Sequence, residues 1–131
     1  MPLPRVRILV TGASGFVGQH VLRLLAEENA NILAVRHKKE FILPDYGNVS
    51  WTSVDLEKPA SYERRFRDFD PEFVIHLAWS GIPNYSRTIC LNNALNSIRL
   101  FNFIADQTRC TRIIASGSCL EYSERQGECN E

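Results

Sequence analysis

Short apolar runs alternate along this chain with stretches of helical spacing. Residues 7–10 form an apolar run that stops at Thr11-Gly12, which is typical of a buried parallel strand. Residues 15–28 then carry apolar side chains at the spacing of an amphipathic helix. The same criteria predict strands at 31–35, 49–54, 73–78 and 112–116, and helices from Pro59 to about Asp70 and over 86–107. Residues 41–48 are predicted as a loop or a short irregular helix, and 123–131 as a loose polar tail.

This alternation predicts one α/β domain, residues 1–131, with a parallel sheet of about five strands and right-handed crossovers. Fifteen Lys and Arg balance fifteen Asp and Glu, which argues against a nucleic-acid partner. No apolar run reaches the roughly 18 residues of a membrane span. No signal-peptide pattern opens the chain either, so we expect a cytoplasmic protein that does not enter a membrane. The cysteines lack metal-ligand spacing, and we therefore expect free thiols and no metal site at Cys90, Cys110, Cys119 and Cys129.

The turn after the first strand carries the strongest chemical signal. It reads Thr-Gly-Ala-Ser-Gly-Phe-Val-Gly over residues 11–18, between a predicted buried strand and an amphipathic helix. Gly12 allows a sharp turn, Gly15 leaves room for a pyrophosphate, and Gly18 lets the helix pack closely on the sheet. Free N–H groups at the helix start would then face the phosphates. A tight turn without a ligand is the alternative; no Gly-Lys-Ser/Thr follows, so this is not an NTPase phosphate loop.

With this turn and three later motifs, the chain resembles the extended short-chain dehydrogenase/reductase family, the NAD-dependent epimerase/dehydratase group that acts largely on nucleotide sugars. The later motifs are Val54-Asp55-Leu56, the segment 76–79 (His-Leu-Ala-Trp), and the segment 116–122. The resemblance implies a doubly wound Rossmann sheet of order 3-2-1-4-5. It also implies a set of cofactor-binding residues: Gly12, Ser14, Gly15, Phe16, Val17, Gly18, Asp55, Leu56, Leu77, Ala78, Trp79, Asn93 and Ser116.

Some of these matches have simpler alternatives. Asp55 would meet the adenine amino group, or it would only be a helix cap ahead of Pro59. Trp79 stands where the family has a small residue, which would reshape the cleft. Asn93 matches the family's asparagine on the long helix, although Asn96-Ser97 replaces the Gly-Thr that usually follows.

The segment 116–122 resembles the family motif that carries the catalytic Ser or Thr. Counting back four residues from Tyr122 places that role on Ser118, whose hydroxyl would bond the substrate oxygen being oxidised or reduced. Glu121 and Ser123 depart from the family pattern. Ser118 as an ordinary polar residue at a strand end is the alternative. Within the family, the segments 76–85 and 119–122 are most similar to nucleotide-sugar 4-ketoreductases.

The end of the second predicted strand bears on the choice of cofactor. Family members that use NAD usually have Asp or Glu there, whereas this chain has Val-Arg-His-Lys-Lys over residues 35–39. Arg36 has the planar fork that suits a 2′-phosphate, with His37 or Lys38 able to assist. We therefore favour NADP over NAD. A solvated basic loop is the alternative.

The chain has no Tyr-x-x-x-Lys pair, the family's proton donor and its partner. We expect a fragment of a longer enzyme, inactive by itself, whose uncovered apolar surface favours homo-oligomers. The leading hypothesis is the NAD(P)-binding portion of a nucleotide-sugar epimerase, dehydratase or 4-ketoreductase, with hydride transfer at a sugar carbon. The alternatives are a non-catalytic NADP(H)-binding sensor or regulatory module and, more distantly, a structural protein that binds no nucleotide.

Overall fold

The computed structural model describes residues 4–37 and 44–118. Five strands and three helices alternate along the described chain, with one 3₁₀ turn at Pro59–Ser61. The strands are β1 (Val6–Thr11), β2 (Ala30–Arg36), β3 (Val49–Ser53), β4 (Phe73–His76) and β5 (Arg112–Ala115). The helices are α1 (Phe16–Leu25), α2 (Glu63–Phe69) and α3 (Arg87–Gln107).

All neighbouring strands pair in parallel, in the order β3-β2-β1-β4-β5. This confirms the predicted α/β class and strand order. The order reverses between β1 and β4, and such a switch point leaves a crevice at the carboxyl ends of the strands. The segment 44–48 contains no helix or strand, while 41–43 and the predicted irregular tail 123–131 lie outside the described residues.

Two apolar clusters cover the two faces of the sheet. One cluster includes Leu33, Phe66, Leu100 and Ile104, and it packs α2 and α3 on the first face. The other includes Val10, Leu22 and other residues, and it packs α1 on the opposite face. The second half of β1 and most of β2 are buried between these layers, which explains why both strands read as mainly apolar runs.

The long helix α3 agrees with its predicted bounds, and its first turn is capped by Ser86, whose Oγ accepts from the Ile89 N–H at 3.4 Å. The sequence of this helix has a stripe of apolar residues at helical spacing, and part of that stripe is not buried. Leu91, Leu95 and Ile98 on that stripe are 42–55% exposed. The buried residues of the helix are Asn93, Leu100 and Ile104, with Ser97 half-buried among them.

At the amino ends of the strands, a charged cluster joins β1, α2 and the segment that leads into β5. Asp70 ends α2 in the left-handed region, with φ of 51°. Its carboxylate accepts from the Arg109 N–H at 2.8 Å and from Nε of the same residue at 2.6 Å, and it pairs with Arg7 at 3.4 Å. The backbone N–H of Arg109 is the main cause that lowers the pKa of Asp70 below its ordinary value. This cluster fixes the end of the sheet opposite the crevice.

Candidate cofactor site

A cleft of about 580 Å³ opens at the carboxyl ends of β1 to β4. Its floor is the turn between β1 and α1. One wall is formed by the ends of β2 and β3, and the other by residues after β4 together with α3. All the predicted cofactor-binding residues except Ser116 line this cleft: Gly12, Ser14, Gly15, Phe16, Val17, Gly18, Arg36, Asp55, Leu56, Leu77, Ala78, Trp79 and Asn93.

The floor of the cleft presents unpaired backbone donors. Helix α1 begins after Gly15, and no side chain caps its first turn. The N–H groups of residues 16–18 therefore lack helical acceptors, and they lie at the positive end of the helix dipole. The first turn also holds no acidic residue that would repel an anion. These features together suit a phosphate group.

The three glycines of the turn are needed for different reasons. Gly12 has φ of +66°, and a Cβ there would come within 2.7 Å of the Ala78 backbone nitrogen. A Cβ on Gly18 would lie 2.2 Å from the Gly12 carbonyl oxygen. A Cβ on Gly15 would meet only that same oxygen, at 3.2 Å, and φ of this residue is an ordinary −74°. Packing thus explains Gly12 and Gly18, whereas Gly15 is bare at an open surface, as a close ligand requires.

The β2 wall supplies the only guanidinium among the described residues that line the cleft. Arg36 ends β2, is half-buried, and donates from Nε to Ser53 Oγ at 3.2 Å. This bond holds the base of the fork and leaves its two terminal nitrogens without a described partner. His37 lines the cleft beside it, and Lys38, Lys39 and Glu40 lie outside the described residues.

Asp55 lines the cleft and also holds its own turn together. Its Oδ1 accepts from the Glu57 N–H at 3.0 Å, and Oδ2 pairs with Lys58 at 3.2 Å. The Glu57 N–H is the main cause that lowers the Asp55 pKa. Asp55 thus stabilises the preceding turn and is not the helix cap considered from the sequence, because Lys58 is the N-cap of Pro59–Ser61 and no side chain caps that 3₁₀ turn. The predicted adenine contact stays a prediction.

Asn93 has its whole amide engaged within the protein. Nδ2 donates to the carbonyls of Ser80 and Ile89 at 3.0 and 2.9 Å, and Oδ1 accepts from the Ser80 N–H at 2.9 Å. Asn93 thus fastens the loop after β4 to α3. The loop turns at Gly81, whose φ of +87° favours glycine, and it presents the exposed ring of Trp79 to the cleft.

A buried polar chain lies under the floor of the cleft. His76 ends β4 and is 5% exposed; its Nδ1 lies 2.7 Å from Thr11 Oγ1, and its Nε2 lies 2.9 Å from Ser97 Oγ. Burial lowers the pKa of His76 to about 4, so the imidazole is neutral near pH 7. Thr11 directly precedes the glycine turn, and Ser97 lines the cleft.

Several outcomes qualify the sequence predictions. Ser116 and Ser118 are exposed and do not belong to the cleft lining; the N–H of Ser116 donates to the His76 carbonyl at 3.1 Å. Tyr122, from which Ser118 was placed, lies outside the described residues. The prediction missed lining residues on α3 and after β4, including Asn96, Ser97 and Ser80. Their signal was the spacing of four residues from Asn93 to Ser97, which puts both on one helix face.

Two further predictions from the sequence concern the cysteine thiols and membrane-spanning segments. Cys90 and Cys110 are free thiols, and Cys119 and Cys129 lie outside the described residues. Within residues 4–37 and 44–118, no helix has the length and apolar character needed to cross a membrane.

The parallel sheet of order 3-2-1-4-5, with its glycine turn at the switch point, defines a Rossmann-type domain. The chain matches the NAD dependent epimerase/dehydratase family over residues 8–131, and it belongs to that family.

Two sequence relatives and one solved structure illustrate the likeness. GDP-6-deoxy-D-talose 4-dehydrogenase of Aggregatibacter actinomycetemcomitans is 32% identical over 103 residues, which are 77% of this chain and 31% of that protein. Sterol-4-alpha-carboxylate 3-dehydrogenase erg26 of Schizosaccharomyces pombe is 39% identical over 90 residues, 66% of this chain and 26% of that one. The Bordetella bronchiseptica enzyme WbmG, in complex with NAD, has a TM-score of 0.81 at 20% identity, covering 94% of this chain and 41% of WbmG. The chain thus spans between about a quarter and a third of the length of the two sequence relatives.

Proposed function

We propose that this chain is the dinucleotide-binding portion of an enzyme that transfers hydride at a sugar carbon of a nucleotide sugar. The observation that carries the proposal is the uncapped, acid-free start of α1 beneath an open cleft, with Gly15 bare where no packing requires it. Family membership and the relation to a nucleotide-sugar 4-dehydrogenase support it. The sterol dehydrogenase among the relatives is the reason that the substrate needs a direct test.

Different residues of the cleft would bind different parts of the cofactor. The N–H groups of residues 16–18 would bind the pyrophosphate. Val35, Arg36 and Asp55 would face the adenosine half, and Leu77, Ala78 and Trp79 would face the nicotinamide half. When bound, the cofactor supplies the hydride acceptor or donor. The contribution of these side chains is to bind it, orient it and exclude water.

We propose that NADP is preferred over NAD. The support is Arg36, which lines the cleft and whose terminal guanidinium nitrogens have no carboxylate partner among the described residues. An acidic residue at this place would repel a 2′-phosphate, and residues 35–37 offer none.

Calorimetric titration of the chain with NADPH and NADH tests both statements. We expect tighter binding of NADPH, and we expect Arg36→Ala to remove the preference while NADH affinity stays nearly unchanged. Arg23→Ala, an exposed cation at the far end of α1, is the matched control for net charge. Binding of neither dinucleotide would overturn the proposed function, and equal affinities that Arg36→Ala leaves equal would overturn the NADP preference.

We further propose that Ser118 is the catalytic hydroxyl of the whole enzyme, and that the 131-residue chain alone is inactive because its sequence holds no Tyr-x-x-x-Lys pair. Stopped-flow or steady-state assays with GDP- and UDP-4-keto sugars and NADPH test the second statement directly. Measurable oxidation of NADPH by the isolated chain would contradict it. The enzyme is expected in the cytoplasm, which imaging of the tagged protein in its own cell checks.

A further inference from the structure

The hydrogens in the buried chain under the cleft can be placed from its donors and acceptors. The Ala78 N–H donates to Thr11 Oγ1 at 3.3 Å, so this oxygen already acts as an acceptor. Thr11 is fully buried, and its hydroxyl hydrogen has one acceptor within reach among the described residues, His76 Nδ1 at 2.7 Å. His76 Nδ1 therefore accepts, and the proton of the neutral imidazole is on Nε2.

This assignment fixes the next bond. His76 Nε2–H donates to Ser97 Oγ at 2.9 Å, so Ser97 accepts from the ring. The hydroxyl hydrogen of Ser97 then has no described acceptor in the protein, although the residue lines the cleft. The edge-on Phe101 ring, with its centroid 5.1 Å from that of the imidazole, packs His76 in place.

We propose that Ser97 is a ligand-binding residue, which donates its hydroxyl hydrogen to an oxygen of the nicotinamide nucleoside, and that Thr11 and His76 are the positioning residues that aim it. The inference rests on the proposed dinucleotide site. Ser97 lies on the wall with Leu77 and Ala78, across the glycine turn from Arg36 and Asp55. A dinucleotide whose adenosine half lies at Arg36 places its other nucleoside at this wall, where the ribose hydroxyls and the carboxamide offer acceptor oxygens.

The polar chain also ties the ligand contact to the floor of the cleft. A Cβ on Gly12 would collide with the Leu77 and Ala78 backbone, so the turn and the end of β4 are already in close contact there. Thr11 and His76 bond across the same junction. Hence the rotamer of Ser97 and the position of the phosphate-binding turn are set by one group of bonds.

A comparison of two ligands separates a direct contact from a structural effect. Titrations of the wild-type chain, Ser97→Ala and Ser97→Thr are made with NADPH and with adenosine 2′,5′-bisphosphate, which lacks the nicotinamide nucleoside. We expect Ser97→Ala to weaken the binding of NADPH roughly 3- to 10-fold, which is the effect of one hydrogen bond. The affinity for the bisphosphate should be unchanged. Ser97→Thr should restore NADPH binding, and Thr88→Ala, an exposed hydroxyl on the same helix, should change neither ligand.

Imidazole ¹⁵N NMR tests the aiming bonds without any ligand, with His76→Gln used to assign the signals. We expect His76 to carry its proton on Nε2. A proton on Nδ1, or an equal loss of both ligands in Ser97→Ala, would overturn this inference while leaving the proposed function standing. Failure of the wild-type chain to bind either ligand would overturn the proposed function, and the Ser97 contact with it.

Discussion

The glycines of the turn show how one residue type serves packing at one position and a ligand at another. Gly12 and Gly18 have backbone atoms where a Cβ would lie, at 2.7 and 2.2 Å. Gly15 has only the edge of one carbonyl nearby. The sequence motif alone does not distinguish these roles, because it records spacing and not the neighbours of each Cα.

This difference predicts opposite phenotypes for two alanine variants. Gly18→Ala should lower the free energy of unfolding by about 3 kcal/mol, because the new methyl group overlaps the Gly12 carbonyl and the Ala13 backbone. Gly15→Ala should keep stability within about 1 kcal/mol of wild type. It should instead weaken the binding of NADPH about tenfold, because its methyl group would lie where the pyrophosphate comes close to the turn. Urea denaturation and calorimetry measure the two quantities; a stable Gly18→Ala, or a Gly15→Ala with unchanged affinity, would contradict the assignment.

His76 predicts a pH dependence of stability on the acid side of neutrality. Its pKa is about 4 in the folded chain and 6.5 when exposed, so between these values the unfolded chain binds the extra proton. Above pH 6.5 the residue contributes no pH dependence, and stability falls as the pH drops from there toward 4. The groups that face the ring, Thr11 on β1 and Ser97 and Phe101 on α3, carry no charge that would offset this.

We expect the free energy of unfolding to fall by about 2 kcal/mol between pH 7.5 and 5 on account of His76. Urea denaturation at the two pH values measures it. In His76→Gln the free energy of unfolding should fall less between the two pH values. In the control His37→Gln, which removes an exposed imidazole, it should fall as much as in the wild-type chain. The pKa values of Asp55 and Asp70 are lowered from their ordinary value of 3.8, so the stability that these carboxylates contribute is lost only at a lower pH than this window. An equal fall in His76→Gln would contradict the assignment.

At the scale of elements, the sequence predicted strands and helices well where the apolar residues follow a single pattern, either a continuous run or helical spacing. The buried strands β1 and β2 are continuous apolar runs, and α3 ends where predicted. The segment after Pro59 was predicted as one helix, but it is a 3₁₀ turn followed by α2, with Tyr62 between them buried against the core. Periodicity does not reveal such a break, because the buried apolar residues Tyr62 and Phe66 are four positions apart and fit one continuous helix.

Hydrophobic periodicity did not predict which face of α3 is buried. At the end of this helix near the cleft the inward face holds buried Asn93 and half-buried Ser97, so that face does not stand out as apolar. The outward stripe of Leu91, Leu95 and Ile98 is the more obvious pattern. Ser97 was missed for the same reason, since its placement depends on the tertiary contact with His76, whereas Asn93 was predicted from the family resemblance.

A pair of leucines on α3 tests which face is buried. Leu100→Ala should lower the free energy of unfolding by about 2–5 kcal/mol, because the side chain is fully enclosed between the sheet and α2. Leu91→Ala, 55% exposed, should change it by no more than about 0.5 kcal/mol. Denaturant unfolding of the two variants measures this difference. Similar losses would mean that the outward stripe is covered within the monomer.

For the whole molecule, the outward stripe on α3 predicts self-association of the 131-residue chain. Leu91, Leu95 and Ile98 lie on one face at helical spacing, and Ile114 on β5 is 55% exposed as well. Sedimentation velocity over a range of concentrations should show dimers or larger species, and Leu95→Glu should shift them to monomer. Leu24→Glu, on the exposed side of α1, is the matched control. A monomer at all concentrations, or loss of association in the control alone, would contradict this surface assignment.

The central place of β1 has a consequence for how the chain is made. Among the five described strands β1 comes first along the chain and is therefore synthesised before the other four, and it pairs with β2 on one edge and β4 on the other. Each later strand then adds to the outside of a sheet that already exists, β3 beyond β2 and β5 beyond β4. None of the five described strands has to insert between two others, so this sheet can assemble in the order of its synthesis. Until residues 73–76 emerge, however, one edge of β1 stays open, and a translational pause before that point would leave the nascent chain exposed to edge-to-edge aggregation.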